Sequence, residues 1–218
     1  MDSTIITSET IDELAVLAGY GPEISSITKQ SMKGELDFNE TIHKRVAMLS
    51  GLKVNAIDQI LSKIKFNKGA ETLVRTMAAH GALTILVSGG FKVFSEYVAK
   101  MIGFDQNHAN SFEVENGFLT GKIINPILDP NAKRKTLITA SSMFGARISE
   151  TLAIGDGAND VPMIKAAGLG IAYRGKPITR LAARANFQTE LSGTCIDYAD
   201  LTAALFFQGY QRKEFSDY

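Results

Sequence analysis

Three short segments hold side chains whose types and spacing suit chemistry on a small anionic ligand. Gly155-Asp156-Gly157-Ala158-Asn159-Asp160 sets two carboxylates and an amide on a glycine-rich loop, the hard oxygen donors that Mg²⁺ prefers. Read alone, the same loop suits a turn with an aspartate cap. Ser88-Gly89-Gly90-Phe91 follows an apolar run. Its glycines let backbone N–H groups approach an anion, Ser88 adds a hydroxyl donor, and the helix start behind it adds positive potential. A tight strand-to-helix turn would use the same residues. Asp2-Ser3-Thr4 opens the chain and by itself is no more than a polar start or a helix cap. The three together, at matching strand ends, are harder to explain as turns and caps.

The elements that must position these segments can be read from periodicity. From Glu9 to about Lys65 the pattern is helical. Ile11, Leu14, Ala15 and Ala18 share a face that Gly19 ends, Asp37 with Glu40 forms a capping box before Ile42, Val46 and Leu49, and Asn55 starts a helix through Ile64. After Gly69 strands and helices alternate. A helix to His80 precedes an apolar run Ala82–Val87, bounded by glycines as in a strand buried on both faces, and a helix follows from Phe91 to Met101. Asn116-Gly117 predicts a hairpin between Phe112–Glu115 and Phe118–Ile123. Helix Ala132–Phe144, strand Thr151–Ile154, helix Val161–Ala167 and strand Leu169–Tyr173 complete the alternation. This order implies an α/β protein with a Rossmann-like, doubly wound parallel sheet and a ligand crevice at the strands' carboxyl ends.

Composition then excludes several classes. The 23 Lys plus Arg balance 23 Asp plus Glu, which removes the electrostatic footprint of a nucleic-acid binder. The single Cys195 rules out a disulfide framework and fits a reducing compartment. No apolar run approaches the roughly 18 residues of a membrane span, and no basic start leads into an apolar stretch. A soluble cytoplasmic protein acting on a small molecule is the expectation.

Asp2-Ser3-Thr4, Ser88-Gly89-Gly90, Lys133 and the loop Gly155 to Asp160 resemble the four motifs of the haloacid dehalogenase superfamily. Glu9-Thr10-Ile11-Asp12-Glu13-Leu14-Ala15, Met32-Lys33-Gly34, Asp37-Phe38 and Lys44-Arg45-Val46 resemble the helical cap of its phosphoserine phosphatase branch. The resemblance implies a core of residues 1–8 and 66–218 with a helical cap at 9–65. It implies Mg²⁺-dependent hydrolysis of O-phosphoserine through an aspartyl-phosphate, the final step of serine biosynthesis, and leaves a homodimer open. Asp2, Ser88 and Lys133 would be catalytic, with Asp2 and Asp156 on the metal and Asn159 and Asp160 orienting its surroundings. Glu9, Met32, Phe38, Arg45, Ser88, Gly89, Gly90, Lys133 and Asn159 would meet substrate, Arg45 at its carboxylate and Glu9 at its ammonium. A related small phosphomonoester as substrate remains the alternative within enzymes.

The first motif departs from the family pattern Asp-x-Asp-x-Thr. Met1 occupies the x position, so the nucleophilic aspartate and the central strand that delivers it would lie upstream of residue 1. A chain cut short, or started at an internal Met, is the expectation, with a catalytically silent phosphoserine-binding relative as the alternative.

Other candidates carry no such pattern. His43, His80 and His108 lack metal-ligand spacing, Cys195 has no partner signature, Phe206-Phe207 reads as core or interface, and the tail from Gln211 reads as frayed.

Overall fold

The computed structural model describes residues 1–185 and 195–216. Helices come first: α1 (Thr10–Ala18), α2 (Gly21–Lys33), α3 (Phe38–Ala47) and α4 (Ala56–Leu61). The Asp37 carboxylate caps α3 by accepting the Glu40 N–H at 2.9 Å, as the sequence predicts. α2 went unseen in the pattern because its mean hydropathy is low and only Ile24, Thr28 and Ser31 of it are buried.

Alternation then begins. α5 (Ala70–Ala79) leads to β1 (Ile85–Phe91), α6 (Lys92–Ile102), β2 (Gln106–Glu115) and β3 (Phe118–Ile124). β1 starts three residues later than the apolar run and continues through Ser88-Gly89-Gly90, since hydropathy marks burial and not extension. Asn116 and Gly117 both take positive φ, 50° and 81°, the geometry a two-residue hairpin turn requires. β2 also extends upstream of the hairpin to pair parallel with β1. α7 (Pro130–Phe144), β4 (Leu152–Gly155), α8 (Val161–Ala166) and β5 (Leu169–Tyr173) follow, then α9 (Pro177–Ala185), β6 (Cys195–Ile196) and α10 (Ala203–Phe207). The last three elements had no clear sequence signal. Phe206 and Phe207 are half-exposed, 53% and 51%, so neither is core. The tail forms a short 3-10 turn at Arg212–Glu214, and residues 217–218 lie outside the described part.

The strands form two sheets, ordered β1-β2-β3 and β4-β5-β6, with β1·β2, β4·β5 and β5·β6 parallel and the hairpin antiparallel. Among the described residues nothing pairs with the second edge of β1 or of β4. Between them lies a cavity of about 270 Å³ whose walls include Ile85, Leu86 and Val87 of β1 and Leu152, Ala153 and Ile154 of β4. Residues 1–8 form no strand beside either edge. They turn back on themselves and touch the fold by a bridge from Ile6 to Phe66.

Candidate active site

The carboxyl ends of β1 and β4 and the first turn of the chain meet the helical segment around one cavity of about 50 Å³. Asp2, Ser88, Gly89, Gly90, Lys133, Asp156, Asn159 and Asp160 line it from one side; Glu9, Met32, Phe38 and Arg45 line it from the other. The structure thus brings every residue singled out from the sequence to a single place.

Backbone geometry explains the glycines. A Cβ on Gly89 would sit 2.9 Å from the Phe38 ring, and one on Gly90 would sit 2.8 Å from Asp2 Oδ2. Both contacts are closer than real Cβ atoms tolerate. Ser88, 2% exposed, accepts the Gly90 N–H at 3.0 Å through Oγ, which leaves its own O–H free to donate into the cavity.

Lys133 and Asp160 form a buried ion pair at 2.7 Å, with side chains only 4% and 8% exposed. The second Asp160 oxygen accepts the N–H groups of Asp156 and Gly157 at 3.1 and 3.2 Å. Burial pushes the Asp160 carboxyl up, but Lys133 and these bonds outweigh it and hold the group below the usual carboxylate range.

The other acids are crowded in the opposite sense. Burial, and then the Asp160 charge, push Asp156 up to about 6 even though the Thr4 hydroxyl donates to Oδ1 at 2.7 Å. Burial likewise raises Asp2. Glu9 is pushed up to about 8 by burial and by the neighbouring Asp2, against a Ser3 hydroxyl that donates to it at 2.5 Å. Carboxyls perturbed together in one cavity mark it as a candidate functional site. Asn159 lines the same cavity, and its Oδ1 is buried with no hydrogen-bond partner. Among the described residues, however, no three His, Cys, Asp or Glu side chains form a metal cage.

A family model for haloacid dehalogenase-like hydrolases matches residues 1–165. The chain belongs to that family. A phosphoserine phosphatase of Streptococcus thermophilus is 44% identical over 183 residues, 84% of this chain and 85% of that one. Two solved structures each superpose with a TM-score of 0.88 at 35% identity. One is a phospho-aspartyl intermediate analogue of phosphoserine phosphatase, covering 95% of each chain. The other is a substrate-bound phosphoserine phosphatase, covering 95% of this chain and 94% of that one. Some curated relatives are longer; the chain spans 50% of the phosphoserine phosphatase of Streptomyces coelicolor, at 37% identity. Within the haloacid dehalogenase-like hydrolases, then, this is a phosphoserine phosphatase-like hydrolase.

The structure also adds residues that motif spacing did not single out. Asn67, 6% exposed, donates its amide to the carbonyls of Thr4 and Ile6 at 2.9 and 3.1 Å and so holds the first loop in place. Ser3 stands in the left-handed region at φ 55°, a conformation that costs a non-glycine residue about 1 kcal/mol and places its hydroxyl on Glu9. Glu9 precedes α1 but makes no side-chain cap bond to it. Arg45 is 7% exposed, unlike its neighbour Lys44, which pairs with Glu40 at the surface. No helix among the described residues is long and apolar enough to cross a membrane.

Proposed function

We propose that this pocket hydrolyses O-phosphoserine to serine and phosphate, with residues 9–65 as a cap over a core of 1–8 and 66–218. The observation that carries the reading is the arrangement of charge across one cavity. Lys133 and the Ser88 hydroxyl offer donors to a phosphoryl group on the core side, beside the Gly89-Gly90 backbone. Arg45 and Glu9 on the helical side offer a cation for a carboxylate and a carboxyl that a bound ammonium would draw into its ionised form. Met32 and Phe38 exclude water between them.

The chemistry needs a nucleophile beside Asp2. In this family that nucleophile is an aspartate two positions before the one Asp2 matches in the pattern Asp-x-Asp-x-Thr. Met1 lines both cavities, so the site and the space between β1 and β4 adjoin there. The attacking carboxylate forms a bond to phosphorus as the bond to the serine oxygen breaks. Asp2, whose burial favours its protonated form, would give that oxygen its proton. Asp2 then takes a proton from the water that cleaves the acyl phosphate. Lys133 and Ser88 hold the equatorial oxygens throughout.

The donors present fit a divalent cation such as Mg²⁺. Asp156 and Asp2 would hold it, the orphaned Asn159 Oδ1 would orient its surroundings, and Asp160 would fix the loop. When bound, the ion neutralises repulsion between the carboxylates and the phosphate dianion.

The test is a substrate panel on a chain extended by an apolar segment and an aspartate. Preference for phosphoserine over phosphothreonine, phosphohomoserine and phosphoethanolamine supports the reading. Equal turnover of all four would reduce it to an unspecified phosphomonoesterase.

A further inference from the structure

Arg45 owes its orientation to two residues that touch no part of the cavity. Its Nε donates to the Thr41 carbonyl at 3.3 Å, and its Nη1 donates to Thr28 Oγ1 at 3.3 Å. Thr28 in turn donates its only hydroxyl proton to Asp12 Oδ1 at 2.6 Å. A carboxylate accepts and does not donate. Asp12 therefore claims the Thr28 proton and turns a lone pair of Thr28 towards the guanidinium. Thr28 is 3% exposed, so water does not substitute for either bond. Asp12 lies on α1, Thr28 on α2 and Arg45 on α3, and the relay ties the three helices at the point where the guanidinium leaves them. None of the described hydrogen bonds uses Nη2, the remaining edge of the fork. Burial pulls the guanidinium down in pKa, and Glu9 and then Asp12 pull it back, so Asp12 also supports its charge.

We infer that Asp12 and Thr28 are positioning residues for substrate choice, fixing the fork of Arg45 so that its free edge meets the carboxylate of an amino-acid phosphate. The inference rests on the proposed reading of Arg45. A bidentate contact is sensitive to the plane of the guanidinium. An Arg45 released from Thr28 keeps its charge but loses the pre-set plane, and the loss falls on ligands with a carboxylate.

Binding to the 218-residue chain tests this by titration calorimetry, with phosphoserine and with phosphoethanolamine, which lacks the carboxylate. Thr28→Val keeps the shape and removes the hydroxyl. It should weaken phosphoserine about tenfold, the scale of one hydrogen bond to a charged group, and change phosphoethanolamine less than about twofold. Thr28→Ser should stay near the parent for both. Combined with Arg45→Ala, Thr28→Val should add nothing further, because the two act through one contact. Equal weakening of both ligands by Thr28→Val, or none, overturns the relay. Arg45→Ala is the control for the reading beneath it: if that variant fails to separate the two ligands, or if the parent binds neither, the carboxylate assignment falls and takes the relay with it. Should Thr28→Val fail to fold, Asp12→Ala, which removes the acceptor of the Thr28 proton, reads the same ratio. An unchanged ratio there contradicts the inference.

Discussion

Lys133 Nζ lies 2.7 Å from Asp160 Oδ1, both side chains almost wholly buried, one from the start of α7 and the other from the loop after β4. This pair does two things at once. It anchors the cation that faces the phosphoryl side of the cavity, and through the second Asp160 oxygen it shapes the loop that carries Asp156.

Removing one partner leaves the other charged and buried without compensation. Lys133→Met and Asp160→Asn should each destabilise the fold by about 3–5 kcal/mol, measured by urea unfolding. The double variant should cost clearly less than the sum, since each single change already breaks the same contact. Additive losses would show that the two groups do not depend on one another.

Stability should fall as pH rises from about 4 to 8 in the ligand-free chain. Glu9 has an ordinary value of 4.5 and is raised to about 8; Asp156 goes from 3.8 to about 6. Below the ordinary values these carboxyls are protonated folded or unfolded, and nothing is lost. Between the ordinary and the raised value the unfolded chain gives up its proton while the folded chain keeps it, so the unfolded state gains. Thermal midpoints at pH 5 and pH 8 measure the slope, and Glu9→Gln should flatten its upper half. A slope of the same size in Glu9→Gln would remove Glu9 as its cause.

Gly90→Ala should damage the site without unfolding the protein. The added Cβ would meet Asp2 Oδ2 at 2.8 Å and Ser88 Oγ at 3.1 Å, so both polar groups must shift. Phosphoserine affinity should drop at least about tenfold, while the urea midpoint moves little. A binding constant equal to the parent's would mean that Asp2 is not held where the structure puts it.

Legibility followed the physics of each element. β5 could be read to the residue because both its faces are buried, so every position reports burial. β1 was misplaced at its start, because hydropathy does not tell an extended apolar residue from a looped one. α2 was hidden by a mostly exposed face, and β6 by its length of two residues. At the site, motif spacing brought out residues that line one cavity. It could not show Asn67, Thr28 or Asp12, whose partners lie far off in sequence and whose types are common on any surface. The split into two sheets was also beyond the pattern, since alternation names strands but not which edges are left unpaired.

Asn67→Ala should loosen the first loop. Its amide holds two buried carbonyls that would then lack a partner, at about 1–3 kcal/mol. Hydrogen exchange would show faster exchange across residues 3–7 than elsewhere. Uniform exchange with no loss of stability would show that the loop is held by other means.

The central claim is that this pocket is a phosphoserine hydrolase site that needs a carboxylate nucleophile beside Asp2. Phosphate release from phosphoserine with Mg²⁺ should be compared between the 218-residue chain and the same chain preceded by about five apolar residues and an aspartate. The account predicts turnover of about 1–1000 per second from the extended chain and a rate at least about a thousandfold lower from the shorter one. Ordinary turnover by the 218 residues alone, or none from a folded extended chain, would contradict it.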